Sequence, residues 1–379
     1  MVNNIGLITY HSAYNYGSVL QALATQLAVS NFGYDVKVID YRPHLGDVFY
    51  KTLYRTHDGL STLLADLTML PVANKRLKRN TLFESFIQKN LNLTSDRFEN
   101  PSDLSLLRDS FDLVISGSDQ IINKHSNELE KAEWSAMDPY LLTWTNSPKI
   151  TYASSPATMT DAELELIAPK LKNFKHISVR EENANKRLSN VTDKKITTVC
   201  DPTLLIRPKE WRKFSHTLTN KKKYILFYSL IRPKRSFPIF SRLSQLSVRT
   251  GLPVYILTPL AGFVPPNKHL VNVLASGPAE FLSLVDNAEM VITDSYHGTL
   301  FSINFNKDFW MFTENSYEYE IGTRKGQILS KLNLTDRILN EKNIQDIDLS
   351  KKIQYDEVNV ALDQYVTESL NYLRSSISD

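Results

Sequence analysis

Short apolar runs alternate along this chain with segments of helical period. Residues 5–10 form an apolar run of strand length. A polar loop over 11–17 leads into residues 18–31, where Val19, Leu20, Leu23 and Leu27 repeat at helical spacing and Gly33 provides a stop. Residues 36–40 give a second strand. Strand, loop, helix and strand in that order predict a doubly wound α/β sheet.

The pattern continues. Residues 58–92 read as mostly helical, 111–115 and 149–153 as strands, 160–173 as a helix. A strand at 177–179, a charged helix at 180–188 and a strand at 197–199 follow. Pro202, Pro208 and the basic run Lys221-Lys222-Lys223 mark a boundary within 201–222. A second α/β series then begins, with strands at 224–229, 254–258, 270–274, 290–293 and 308–312. Helices are expected at about 236–250, at about 278–287 and directly after 293. The expectation is two Rossmann-like α/β domains facing a cleft, over 1–205 and 206–350. The final segment, 351–379, is read as a helix able to pack back on the first domain.

Composition narrows the function classes. The net charge is +3, from 44 basic and 41 acidic residues, too balanced to argue for a nucleic-acid partner. Cys200 is the single cysteine, so no intrachain disulfide or cysteine zinc cluster can form. A reducing cytoplasm fits. The start Met1-Val2-Asn3-Asn4 predicts no signal peptide. No apolar run approaches the roughly 18–20 residues that span a bilayer, so membrane contact is expected to be peripheral at most. The basic positions Lys75, Arg76, Lys78 and Arg79 fit a solvated helix face better than a membrane-binding one.

Four polar tips fall at predicted strand ends: residues 11–17, 116–120, 154–156 and 293–299. In doubly wound sheets these ends form the ligand edge. The last tip, Thr293-Asp294-Ser295-Tyr296-His297-Gly298-Thr299, carries the richest chemistry and opens a helix, whose free N–H groups attract anions. Neither a spaced-glycine dinucleotide fingerprint nor a GxxxxGK[ST] loop is present, so NAD binding and NTP hydrolysis are disfavoured. A GxSxG elbow is also absent. No metal site stands out. Asp119, Asp201 and Asp294 have the chemistry for magnesium in a nucleotide-sugar enzyme, but isolated aspartates at turns are more often structural.

Five segments together resemble the polysaccharide pyruvyl transferase family. They are Asn15-Tyr16-Gly17-Ser18-Val19-Leu20-Gln21-Ala22, Gly117-Ser118-Asp119-Gln120, Ser178-Val179-Arg180-Glu181, Asp201-Pro202-Thr203 and the 293–299 block. They occur in the family's order, from about residue 5 to about 340. Two departures stand out. Ile121-Ile122-Asn123 replaces the aromatic and asparagine that often follow GSDQ, and the family's later arginine is matched only by Arg324.

The resemblance implies a GT-B-like fold and transfer of a pyruvyl group from phosphoenolpyruvate to two hydroxyls of a sugar. It implies no cofactor, and a cytoplasmic enzyme at the inner face of the membrane whose acceptor is free, nucleotide-linked or lipid-linked. Enol protonation needs an acid and the attacking hydroxyl needs a base. His297, Asp294 and Asp119 are the catalytic candidates. Ser295, Tyr296, Gly298, Thr299, Arg324 and Arg180 are expected on the donor side. Asn15, Tyr16, Gly17, Ser118 and Gln120 are expected on the acceptor side. Structural alternatives stand beside these: Arg180 paired with Glu181 or Glu182, Asp294 as a helix cap, and Tyr296 filling a gap rather than stacking on a sugar. A nucleotide-sugar glycosyltransferase and a non-catalytic carbohydrate-binding protein are the competing functions, and oligomeric state stays open.

Overall fold

The computed structural model describes residues 2–43, 70–129, 132–217, 222–231, 233–260, 263–313 and 323–379. The first part of the helix expected over 58–92 lies outside the described residues.

Two parallel sheets form the framework. The first contains β1 (Asn4–Ile8), β2 (Asp35–Tyr41), β3 (Leu93–Phe98), β4 (Leu113–Asp119), β5 (Lys149–Ser154), β6 (Ile177–Val179) and β7 (Ile196–Thr198), in the order β3-β2-β1-β4-β5-β6-β7. The second contains β8 (Ile225–Tyr228), β9 (Val254–Leu257), β10 (Leu270–Asn272), β11 (Met290–Thr293), β12 (Phe309–Thr313) and β13 (Ile338–Asn340), in the order β10-β9-β8-β11-β12-β13. Each order reverses beside its first strand, which opens a crevice at the carboxyl ends of β1 and β4 in one sheet and of β8 and β11 in the other. The inner strands β1, β4, β8 and β11 are buried almost throughout, as parallel strands covered on both faces must be.

The α-helices are α1 (Tyr16–Ser30), α2 (Ala73–Asn90), α3 (Asp161–Leu171), α4 (Glu182–Val191), α5 (Pro202–Leu205), α6 (Pro208–Trp211), α7 (Pro233–Thr250), α8 (Pro278–Asp286), α9 (Tyr296–Asn304), α10 (Arg324–Lys331) and α11 (Tyr355–Ser378). The region read as a bare boundary holds α5 and α6, each with proline in its first turn, where the missing N–H costs nothing. The edge strands β3 and β13 escape the hydrophobic pattern because one is polar and the other three residues long. Helix α4 starts two residues later than expected, since Glu181 is extended as its N-cap residue.

Helix α1 is buried nearly all round. One face covers β2 and β4; other faces meet α5, α8, α9 and α11. It therefore belongs to both halves, and the largest apolar core runs through it from the first sheet to the second. Its polar residues are satisfied internally: Gln21 Nε2 donates to Thr9 Oγ1 at 2.7 Å and Gln21 Oε1 accepts from the Ser118 N–H at 3.0 Å. Across the seam, the Tyr16 ring stacks on Phe281 at 4.7 Å, and Phe281 meets Tyr228 and Phe301 edge-on at 5.0 and 5.6 Å. The last helix, α11, contacts β5 and α1 of the first half. There Ser369 Oγ accepts the Cys200 N–H at 2.9 Å and Arg374 lies over the Phe32 ring.

Phe281 is fully buried at this seam. Phe281→Ala is expected to cost about 3–5 kcal/mol, the usual range for a large core aromatic. A urea midpoint unchanged from that of the unsubstituted chain would contradict an interdomain core.

Candidate active site

All four polar tips reach the carboxyl edges of the two sheets, and two of them, through Asp119 and Tyr296, meet around one side chain, Arg180. This guanidinium is fully buried just beyond β6. Its Nη1 donates to Asp201 Oδ2 at 2.8 Å, its Nη2 to Asp119 Oδ1 at 3.1 Å and its Nε to Glu181 Oε1 at 3.3 Å. Burial alone would lower the pKa of Arg180; the three carboxylates outweigh it and raise it. The ion-pair reading of Arg180 is thus realised, with Glu181 among its partners.

Asp119 ends β4 at a positive φ of 75°. Its Oδ1 accepts the Gln120 N–H at 2.9 Å and its Oδ2 accepts the Ser18 hydroxyl at 2.7 Å. Burial pushes its carboxyl up, but Arg180, His297 and the Ser18 bond hold it below its ordinary value. Asp201 caps α5, accepting from the Thr203 N–H at 3.0 Å. It is wholly buried, and the charges of His297 and Arg180 overcome that burial to depress its pKa strongly.

His297 lies in the first turn of α9, 8% exposed. Its Nε2 stands 3.4 Å from Asp201 Oδ2, an ion contact rather than a hydrogen bond. The other side of the imidazole rests on Gly17: a Cβ there would fall 2.0 Å from His297 Nδ1. Gly17 therefore serves by lacking a side chain where two domains touch. Gly298 does the same within α9, since a Cβ there would meet Thr293 Oγ1 at 2.4 Å.

The other candidates divide clearly. Asp294 is turned to the segment after β8, where its Oδ1 accepts the Leu230 N–H at 3.0 Å; burial raises its carboxyl pKa. Asp201, absent from the candidate set although it sits in the Asp-Pro-Thr segment, is the carboxylate beside His297. Ser295 caps α9 by accepting the Gly298 N–H at 3.3 Å, and Thr299 donates back to the Ser295 carbonyl at 3.2 Å. Tyr16 is completely buried and its hydroxyl donates to the Ser276 carbonyl at 2.7 Å, so no face is left for a sugar. Ser118 is likewise buried, donating to the Ala153 carbonyl at 2.8 Å.

What remains open lies on two sides. On the first domain, Asn15, Ser18, Asp119, Gln120, His125 and Glu128 line part of a polar cleft of about 120 Å³. Ile121 and Ile122 do not reach it; both are fully buried in the apolar core beneath. On the second domain, Arg324 is the first residue of α10 and half-buried. Among the described residues no carboxylate hydrogen-bonds its guanidinium. Burial and the nearby Arg180 charge lower its pKa. An arginine at a helix start that no carboxylate among the described residues hydrogen-bonds has the chemistry to hold an anion. Among the described residues no cluster of histidine, cysteine and carboxylates suits a metal ion, and no helix is long and apolar enough to cross a membrane.

The depressed carboxyls set an acid dependence. A group whose folded pKa lies below its unfolded value stabilises the fold above the unfolded value, near pH 4, and that contribution disappears as pH falls through the folded one. The unfolding free energy from urea titrations should therefore fall between about pH 5 and pH 3, and less steeply in Asp201→Asn. Equal slopes in the two proteins would refute the assignment.

No curated protein sequence matches the chain. Among solved structures, a putative UDP-N-acetylglucosamine 2-epimerase from Listeria monocytogenes is similar at 11% identity and a TM-score of 0.54, covering 100% of this chain and 96% of that one. The S. aureus MnaA–UDP structure is similar at 10% identity and a TM-score of 0.50, covering 99% and 97%. At such identities the likeness is one of fold, the two-domain GT-B-like arrangement expected above. The model of the polysaccharide pyruvyl transferase family matches residues 15–316, which takes in the Asn15 cap, Asp119, Arg180, Asp201 and the His297 turn. The segments that meet at the domain seam are thus the family's own, and the chain belongs to the polysaccharide pyruvyl transferase family.

Proposed function

We propose that this protein transfers the pyruvyl group of phosphoenolpyruvate to two hydroxyls of a sugar, forming a cyclic ketal in surface polysaccharide synthesis. The observation that supports the reading is Arg324, which no carboxylate among the described residues hydrogen-bonds and which shares the Tyr296 ring with Arg180 and His297. A donor bearing both phosphate and carboxylate needs such a cationic edge.

The reaction balances in two additions. The methylene carbon of the enol takes a proton, and the neighbouring carbon then accepts the first sugar oxygen. Phosphate departs with its bridging oxygen and the second sugar oxygen closes the ketal. Of the two hydroxyl protons released, one is matched by the new methyl hydrogen and the other leaves on phosphate. His297 is assigned the delivery of the proton to carbon, the general-acid work most often done by a histidine. The acceptor occupies the polar cleft, where Asn15, Gln120 and the Ser18–Asp119 pair meet its hydroxyls. The acceptor is a glycopolymer precursor, free or carrier-linked, met on the cytoplasmic side.

The test is phosphate release from phosphoenolpyruvate over a panel of sugar acceptors. Acceptor-dependent release is expected, reduced about 100- to 10,000-fold in His297→Ala, the usual worth of a general acid. Phosphoenolpyruvate should also raise the melting temperature. A shift with UDP and none with phosphoenolpyruvate would replace this reading with nucleotide-sugar transfer. Sugar binding with no phosphate release would replace it with a carbohydrate-binding role. Gly17→Ala should lower turnover sharply, because its methyl group takes the space of the His297 ring; full turnover in that variant would remove His297 from the mechanism.

A further inference from the structure

Tyr296 was expected to touch a substrate, and its surroundings assign it other work. Its ring is 7% exposed. The guanidinium carbons of Arg180 and Arg324 both lie over it, 5.0 and 5.7 Å from its centroid, and His297 meets it edge-on at 5.3 Å. A ring occupied in this way has little left for a sugar to stack on.

The two arginines differ in a telling respect. Arg180 belongs to the first sheet and is held by three carboxylates. Arg324 belongs to the second half, and among the described residues the contact that holds its guanidinium is the Tyr296 ring. Two like charges this close repel unless something stabilises both. The negative face of an aromatic ring does so without using any N–H donor of the guanidinium, whereas a carboxylate would consume those donors. A side-chain bond supports the same approach: Gln327 Oε1, three residues beyond Arg324, accepts the Glu182 N–H at 2.7 Å, two residues beyond Arg180.

We propose that Tyr296 is a positioning residue, whose ring holds Arg324 beside Arg180 across the domain seam while leaving the Arg324 donors open to the anionic substrate. This rests on the reading of that edge as the donor site. Tyr296 acts through Arg324 and does not itself touch the donor. The ring matters and the phenol oxygen does not.

A double-mutant cycle tests this. Calorimetric titrations with phosphoenolpyruvate, inorganic phosphate and UDP are run on the full chain, on Tyr296→Leu, on Arg324→Ala and on the double variant. Tyr296→Leu is expected to weaken phosphoenolpyruvate binding about tenfold, the scale of a desolvated cation–π contact, and Arg324→Ala at least as much, because it removes the guanidinium itself. The double variant should bind no more weakly than Arg324→Ala, and Tyr296→Phe should stay within about twofold of the unsubstituted protein. Acceptor KM should not move in any of them. Additive losses in the double variant, or a Tyr296→Phe defect equal to that of Tyr296→Leu, would overturn the proposal. Thermal melts check folding, and Tyr296→Met replaces the leucine variant in the cycle if that one melts early. An unsubstituted protein that binds phosphate or UDP but not phosphoenolpyruvate overturns the donor reading alone, and the cycle is then read on that anion. Binding of none of the three overturns both.

Discussion

One fully buried cation organises this molecule. Taking the Arg180 guanidinium out of water is costly, and its attraction to Asp119, Glu181 and Asp201 offsets that cost only while all the bonds are made. The partners come from separate places: the end of β4, the residue after Arg180 itself, and the cap of α5. Satisfying one side chain therefore fixes three segments of backbone at the seam. Removing any partner would leave buried charge uncompensated, a far larger penalty than the loss of a surface pair.

The framework of the fold is readable from the sequence because period and position agree there. β1, β4, β5 and β11 are apolar runs leading to the four polar tips, and β8 is found within its expected run; β4 is displaced, running from Leu113 through most of its tip to Asp119. β3 is hidden because Leu-Thr-Ser-Asp-Arg-Phe has no buried face to advertise. α5 and α6 are hidden because their prolines read as a break while they open short helices. At the site, residue type predicts the cast and not the pairing. Asp294 and Asp201 both sit at turns with helix-capping chemistry, and only the meeting of two domains decides which one stands beside His297. Tyr16 looks like a ligand residue in its loop, yet its ring is claimed by Phe281, more than 260 positions along the chain. No local pattern carries that information.

The two sides of the cleft are chemically unlike. The first domain offers amides, hydroxyls and the His125 imidazole around two carboxylates, Asp119 and Glu128, the first of them engaged by Ser18. The second half brings an arginine and an imidazole together on the Tyr296 ring, each in the first turn of its helix. The isoleucines after Gln120 belong to neither wall, so the departure from the family pattern changes the support under the cleft rather than its lining.

The return of α11 onto the first half has a consequence for how the chain comes off the ribosome. The first sheet is complete in sequence by residue 198, yet the Cys200 N–H finds its acceptor at Ser369 and Phe32 its covering arginine at Arg374. During synthesis that sheet emerges with one flank uncovered and waits for the whole second half to be made. The order of translation and the order of completion are therefore different, and the earliest part of the protein to appear is among the last to be finished.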